Sequence, residues 1–197
     1  MITDGVMLRL EANRFWIVQA DSELTKWYNA HAQKFDTKAR DPNVWVTQVQ
    51  GPNSFDLLSD VIDGDFLELW QYFGIATVRI ADEDVIISRT GFSNELGCKF
   101  YLRPENNVEK IVNRIWEVSQ AYSMMLTGTP VFRARRIEAG LMFQAEFDET
   151  TTPCCAGLGH FVKLCGCDFI GKAALEKAYK RKRTFGMRVR GSIAKRG

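Results

Sequence analysis

The chain has 197 residues, 46% of them hydrophobic and 25% charged, the balance of an ordinary globular protein with room for one large domain or two small ones. Its net charge of +2 conceals an asymmetry: residues 177–197 carry nine Lys or Arg and no acid, which leaves residues 1–176 at −7. No apolar run approaches the roughly 20 residues of a bilayer span, and Met1-Ile2-Thr3-Asp4-Gly5 has neither the basic nor the apolar region of a signal peptide, so a cytoplasmic protein without membrane contact is expected.

In chain order, Val6, Leu8 and Leu10 alternate and Phe15-Trp16-Ile17-Val18 follow, which predicts two strands joined by a turn at residues 11–14. Asp21-Ser22 offers N-cap chemistry for a helix running to about His31. Residues 43–49 read as a strand, and Gly51-Pro52-Asn53-Ser54 caps a helix bearing Phe55, Leu57, Leu58, Val61 and Ile62. Ile75–Ile80 and Val85–Ser88 form a hairpin about the acidic segment Ala81–Asp84, and Cys98–Leu102 is another strand. A helix over residues 107–122 sets Val108, Ile111, Val112, Ile115 and Val118 on one side. Pro130 begins a further helix reaching Ala139, and residues 171–183 make the last. Hairpins and irregular element order favour an α+β domain with a mainly antiparallel sheet.

The five cysteines are an odd number, which argues against a disulfide framework. Cys154-Cys155 and Cys165-Gly166-Cys167 lack the C-x₂₋₄-C spacing that turns two thiolates toward one zinc, so no metal is expected. The basic end reads as a solvated helix end and strand. No zinc-finger spacing or aromatic RNA-binding signature accompanies it, so nucleic acid is not an expected partner.

The segment Arg89-Thr90-Gly91-Phe92-Ser93-Asn94-Glu95-Leu96-Gly97 is glycine-rich but lacks the Gly-Lys-Ser/Thr of a phosphate loop, and by pattern it is a turn. Arg133, Arg135, Arg136 and Glu138 share a helix, where Arg135 and Glu138 can pair at i,i+3 and the remainder reads as a solvated face. Gly140, one turn beyond Arg136, would let a ligand approach the backbone. His31 and His160 belong to no nucleophile pattern. Residue patterns alone thus reach an α+β domain and name no catalytic side chain.

Four ordered blocks carry a resemblance. Val49-Gln50-Gly51-Pro52 resembles the "QGP" turn of the glycine-cleavage T-protein (aminomethyltransferase) family. Ser88-Arg89-Thr90-Gly91-Phe92 with Gly97 is similar to its "RTGYTGEDG" loop, and Arg136-Ile137-Glu138-Ala139-Gly140-Leu141 to "RLEAGL". Thr152-Pro153, Ala156-Gly157-Leu158-Gly159, Val162-Lys163-Leu164 and Phe169-Ile170-Gly171-Lys172 match its "TPxEAGLGWxVKL…FIGK" stretch. Phe15-Trp16-Ile17 and Ala20-Asp21-Ser22-Glu23 look more like the dimethylsulfoniopropionate demethylase branch.

The resemblance implies a folate-binding domain over residues 1–183, with subdomains at about 1–45 and 46–183. Residues 184–197 would be the start of a truncated β-rich C-terminal domain, and the family's segment preceding the equivalent of Asp4 is expected to be missing. It implies tetrahydrofolate as cofactor and one-carbon transfer from a small-molecule donor. Arg136 would orient folate or donor, Tyr101 would line the pterin pocket with Phe92, Glu95 and Lys99 around it, and Asp21 and Ser22 would lie near the donor. Two departures stand out. Lys26 or Trp27 replaces the family's catalytic carboxylate, which favours an already activated methyl donor over aminomethyl transfer from a lipoyl carrier protein. Lys99 stands where a carboxylate would take the pterin donors, and Glu95 is the substitute acceptor. A non-catalytic folate-binding or interaction protein is the third reading.

Overall fold

The alternation along residues 5–19 and 45–102 becomes two antiparallel sheets in a computed structural model that describes residues 2–19, 23–64 and 71–178. β1 (Gly5–Glu11) and β2 (Arg14–Gln19) pair as a ribbon. A four-stranded sheet follows from β3 (Trp45–Gln50), β4 (Ile75–Ile80), β5 (Glu83–Ser88) and β6 (Gly97–Leu102), in the order β3-β6-β5-β4. The helices α1 (Thr25–Ala32), α2 (Ser54–Val61), α3 (Val108–Ser119) and α4 (Thr129–Glu138) belong with both sheets to one compact unit, Gly5–Leu141. A second unit joins Met1–Asp4 to the chain from Met142 onward and holds α5 (Lys172–Ala178). This is an α+β fold with antiparallel sheets. No helix among the described residues is long and apolar enough to cross a membrane.

The period of two along β5 and β6 divides the first unit into two cores. Val85, Ile87, Cys98, Phe100 and Leu102 face α2 and α3, where they pack with Phe55, Leu57, Leu58, Val61, Ile111 and Ile115. Ile86 and Tyr101 face the other way and meet Leu8, with Val6, Trp16 and Val18 of the ribbon around them. Within the larger core, burial pushes the Cys98 thiol up to about 12, far from the thiolate that reacts.

Several local expectations change. The turn between β4 and β5 is only Ala81-Asp82, with φ of 51° and 63°, the left-handed pair of a type I′ hairpin. Asn-Gly or Asp-Gly would announce such a turn, whereas alanine conceals it. α1 starts after Leu24, so Asp21-Ser22 is not its cap; the Glu23 carboxylate instead accepts from the Thr25 amide at 2.8 Å. Residues 20–22 themselves lie outside the described residues, as do residues 179–197 and hence the strand expected in the basic end. α3 is capped by Asn107, whose side chain accepts from the Lys110 amide at 3.1 Å. Its apolar side splits: Ile111 and Ile115 are buried, whereas Val108 and Val112 remain exposed.

Two outcomes test this packing. Ala81→Gly removes the Cβ penalty of a left-handed alanine, offset in part by the freer unfolded chain, and should raise stability by about 0.5–1 kcal/mol in urea unfolding. In native protein at pH 8, iodoacetamide should alkylate the exposed Cys165 and Cys167 while Cys98 stays unmodified until denaturant is added. Peptide mass spectrometry reads this directly.

Candidate functional site

Gln50 joins two sequence blocks that lie far apart in the chain. Its Nε2 donates to the Thr90 carbonyl at 3.4 Å and its Oε1 accepts from Ser93 Oγ at 2.8 Å. Two glycines make room for this contact. A Cβ on Gly91 would collide with the Gln50 amide, and one on Gly97 would collide with the Val49 carbonyl. The glycine-rich loop therefore closes on the protein's own β3 end, as its turn-like pattern suggests.

Along the free edge of β3 this arrangement leaves a cavity of about 530 Å³, within the size range of small-molecule sites. Thr47, Val49 and Phe100 come from the sheet, Val112, Ile115 and Trp116 from α3, Met124–Thr127 from the connection, and Val131, Phe132 and Arg135 from α4. Gln48, Gln50, Ser93 and Glu95 supply its polar side. Glu95 is ion-paired with Arg135, whose guanidinium also donates to Glu138 at 2.6 Å. The surface pair Arg135–Glu138 read from the sequence is thus one arm of a three-membered group at the cavity mouth.

The residues named from the resemblance separate into three places. Glu95 lines the cavity, and Phe92 sits partly buried in the same loop. Tyr101 and Lys99 share the β6 face turned toward the ribbon and do not line it. Tyr101 is 1% exposed, 5.6 Å from Trp16 between ring centroids, with its hydroxyl 2.9 Å from Ser88 Oγ. Arg136 is 6% exposed rather than on a solvated face, and its guanidinium donates to the Leu141 carbonyl at 3.2 Å. The Leu141 amide donates back to the Arg136 carbonyl at 2.8 Å, a closure that the left-handed Gly140 (φ 72°) permits. No described residue lies within 4 Å of a Cβ built on Gly140, and its left-handed φ serves helix termination. Asp21 and Ser22 lie outside the described residues. Sequence reasoning named Arg135 only as a surface partner of Glu138 and passed over Phe132 and Trp116, although Val112 and Trp116 at i,i+4 mark the exposed apolar side of α3.

Lys99 itself stands in the middle of the sheet, opposite Gln48 on β3 and Ser88 on β5. Burial holds its ammonium below the usual lysine value. Among the described residues no group of His, Cys, Asp and Glu could hold a metal ion.

Residues 1–165 match the family described as the GCVT N-terminal domain. The chain is 35% identical over 191 residues to the trimethylamine-oxide aldolase of Ruegeria pomeroyi, covering 89% of this chain and 24% of that protein. It is 29% identical over 192 residues to the aminomethyltransferase of Caldanaerobacter subterraneus, covering 92% of this chain and 51% of that one. The aminomethyltransferase of Halothermothrix orenii is 30% identical over 182 residues, with 90% and 50% covered. The chain therefore spans about half the length of these aminomethyltransferases and about a quarter of the aldolase.

The depressed Lys99 has a signature in stability. Between its folded value and the ordinary lysine value of about 10.4, the unfolded chain binds the extra proton, so stability rises with pH in that window. Below the window the full cost of burying the cation is present, and above it both states are neutral. Lys99→Met should therefore be more stable than wild type at pH 7, with the difference shrinking toward pH 10.5. Urea midpoints at the two pH values measure it.

Proposed function

The chain belongs to the GCVT N-terminal domain family, and on that premise we propose that it is the folate-binding core of a tetrahydrofolate-dependent one-carbon transferase. The observation that carries this reading is the aromatic-walled cavity with a carboxylate at its mouth. Phe100, Trp116 and Phe132 offer apolar faces to a flat heterocycle, and Glu95 offers two acceptor oxygens to the adjacent ring N–H and amine of a pterin. Tetrahydrofolate supplies the amine nitrogen that accepts the one-carbon unit. The protein's residues hold that acceptor, exclude water from its ring and orient it toward a donor, which is catalysis by positioning.

The donor is read as a small methylated molecule. A relative at 35% identity carries the name trimethylamine-oxide aldolase, and Lys26-Trp27 supplies no carboxylate where the family's amine chemistry uses one. A second reading has support in the names of the other relatives: aminomethyl transfer from a lipoyl carrier protein. The two differ in whether the donor arrives free or protein-bound. Both need the same folate cavity.

Calorimetric titration with tetrahydrofolate tests the shared part. Wild type should bind, and Glu95→Gln should bind about 1.5–3 kcal/mol more weakly, the loss of charge-assisted hydrogen bonds and more than tenfold in affinity. Phe132→Ala should weaken binding as well. An undetectable wild-type signal, or an unchanged dissociation constant in a folded Glu95→Gln variant, would remove folate from this cavity.

A further inference from the structure

The register of the sheet sets Gln48, Lys99 and Ser88 side by side on one face of β3, β6 and β5. Directly paired residues in such a ladder hold their Cβ atoms about 4.5–5.5 Å apart. Ser88 is fully engaged: its Oγ lies 2.6 Å from Thr90 Oγ1 and 2.9 Å from the Tyr101 hydroxyl. Gln48 is partly buried, and its Oε1 lies buried without a hydrogen-bond partner among the described residues. The Lys99 ammonium has no ion pair or hydrogen bond among the described residues.

Among the described residues the surroundings offer no counter-charge. Val46, Gln50, Ile86 and Tyr101 flank the row on the sheet. The ribbon that packs on Tyr101 contributes Val6, Leu8, Trp16 and Val18. A half-buried cation without a counter-ion is a standing cost, which an incoming anion relieves. Lys99 is a donor only, and the Gln48 NH₂ beside it is a second donor, a set that suits the two oxygens of a carboxylate. Gln48 is also one of the β3 edge residues that line the 530 Å³ cavity, so the row and the cavity meet at this residue.

We propose that Lys99 and Gln48 form a carboxylate subsite adjoining the cavity, engaging an acidic group of the ligand seated there. The inference rests on that cavity being a ligand site, and it gives Lys99 a task other than meeting the pterin ring. Two sources present the same chemistry: the glutamyl tail of tetrahydrofolate and the carboxylate of a small one-carbon donor.

Calorimetry on the full chain separates them with three probes: tetrahydrofolate, 6-methyltetrahydropterin, which has no carboxylate, and dimethylglycine. If the tail is the source, Lys99→Gln weakens tetrahydrofolate at least tenfold and leaves 6-methyltetrahydropterin within twofold. If a donor is the source, dimethylglycine binds wild type and is lost on Lys99→Gln, while tetrahydrofolate is unaffected. Lys99→Arg, which keeps the cation, should stay within about threefold of wild type for whichever carboxylate binds. Failure of both tetrahydrofolate and 6-methyltetrahydropterin to bind, beside Lys99-dependent binding of dimethylglycine, would overturn the folate reading and leave the subsite standing. The subsite is overturned if neither carboxylate probe binds, or if both bind equally to wild type and a Lys99→Gln variant of native-like unfolding midpoint.

Discussion

Strand β6 is paired on both edges and covered on both faces, and the first unit depends on its register. Cys98, Phe100 and Leu102 complete the core under α2 and α3, while Tyr101 completes the smaller core under the ribbon. A slip of one residue would exchange the two sets and drive Lys99 against Ile80 and Ile87. The register is pinned where β6 begins. There Gly51 donates its amide to the Leu96 carbonyl at 2.8 Å, and Gly97, lacking a side chain, lies directly against the Val49 carbonyl. The two blocks that look like separate family motifs are thus the two halves of one clamp.

The cavity follows from the same topology. Because β6 is central, β3 is left as an edge strand, and α3 and α4 cover its flank without filling it. The polar mouth is poised by magnitudes rather than by a single strong bond. Arg135 and Glu95 are both partly exposed, and such a pair contributes about 0–1 kcal/mol. A ligand offering paired N–H donors to the Glu95 carboxylate stands to gain about 1.5–3 kcal/mol. Arg135 keeps Glu138 when Glu95 turns away, so the exchange leaves no cation stranded.

Much of this arrangement was legible in the residues. Alternation and turn chemistry located all six strands of the described residues, and Pro130 and Asn107 marked helix starts, because these are local steric and hydrogen-bonding rules. What escaped was non-local or atypical. The Ala81-Asp82 turn adopts left-handed geometry with a residue that disfavours it. Arg136 reads as a surface arginine, yet its environment is set by the left-handed closure through Gly140 and Leu141. The cavity was invisible because Phe100, Trp116 and Phe132 come from three elements and no spacing rule connects them. The resemblance pointed to the loop that brings Ser93 and Glu95 to the cavity, but face parity along β6 divides Lys99 and Tyr101 from Phe100, and that division appears only once both neighbouring strands are placed.

The clamp around Gln50 also makes the two loop glycines unequal in evolutionary terms. Gly97 is opposed by the main-chain oxygen of Val49, which no substitution can remove, so its requirement for glycine is unconditional. At Gly91 the nearest opposing atoms all belong to the Gln50 side-chain amide. If position 50 drifts to a shorter residue, position 91 is released to accept a side chain, and once it has done so glutamine cannot return to position 50. Substitutions at these two sites are therefore ordered in time, and the first one taken acts as a ratchet on the second.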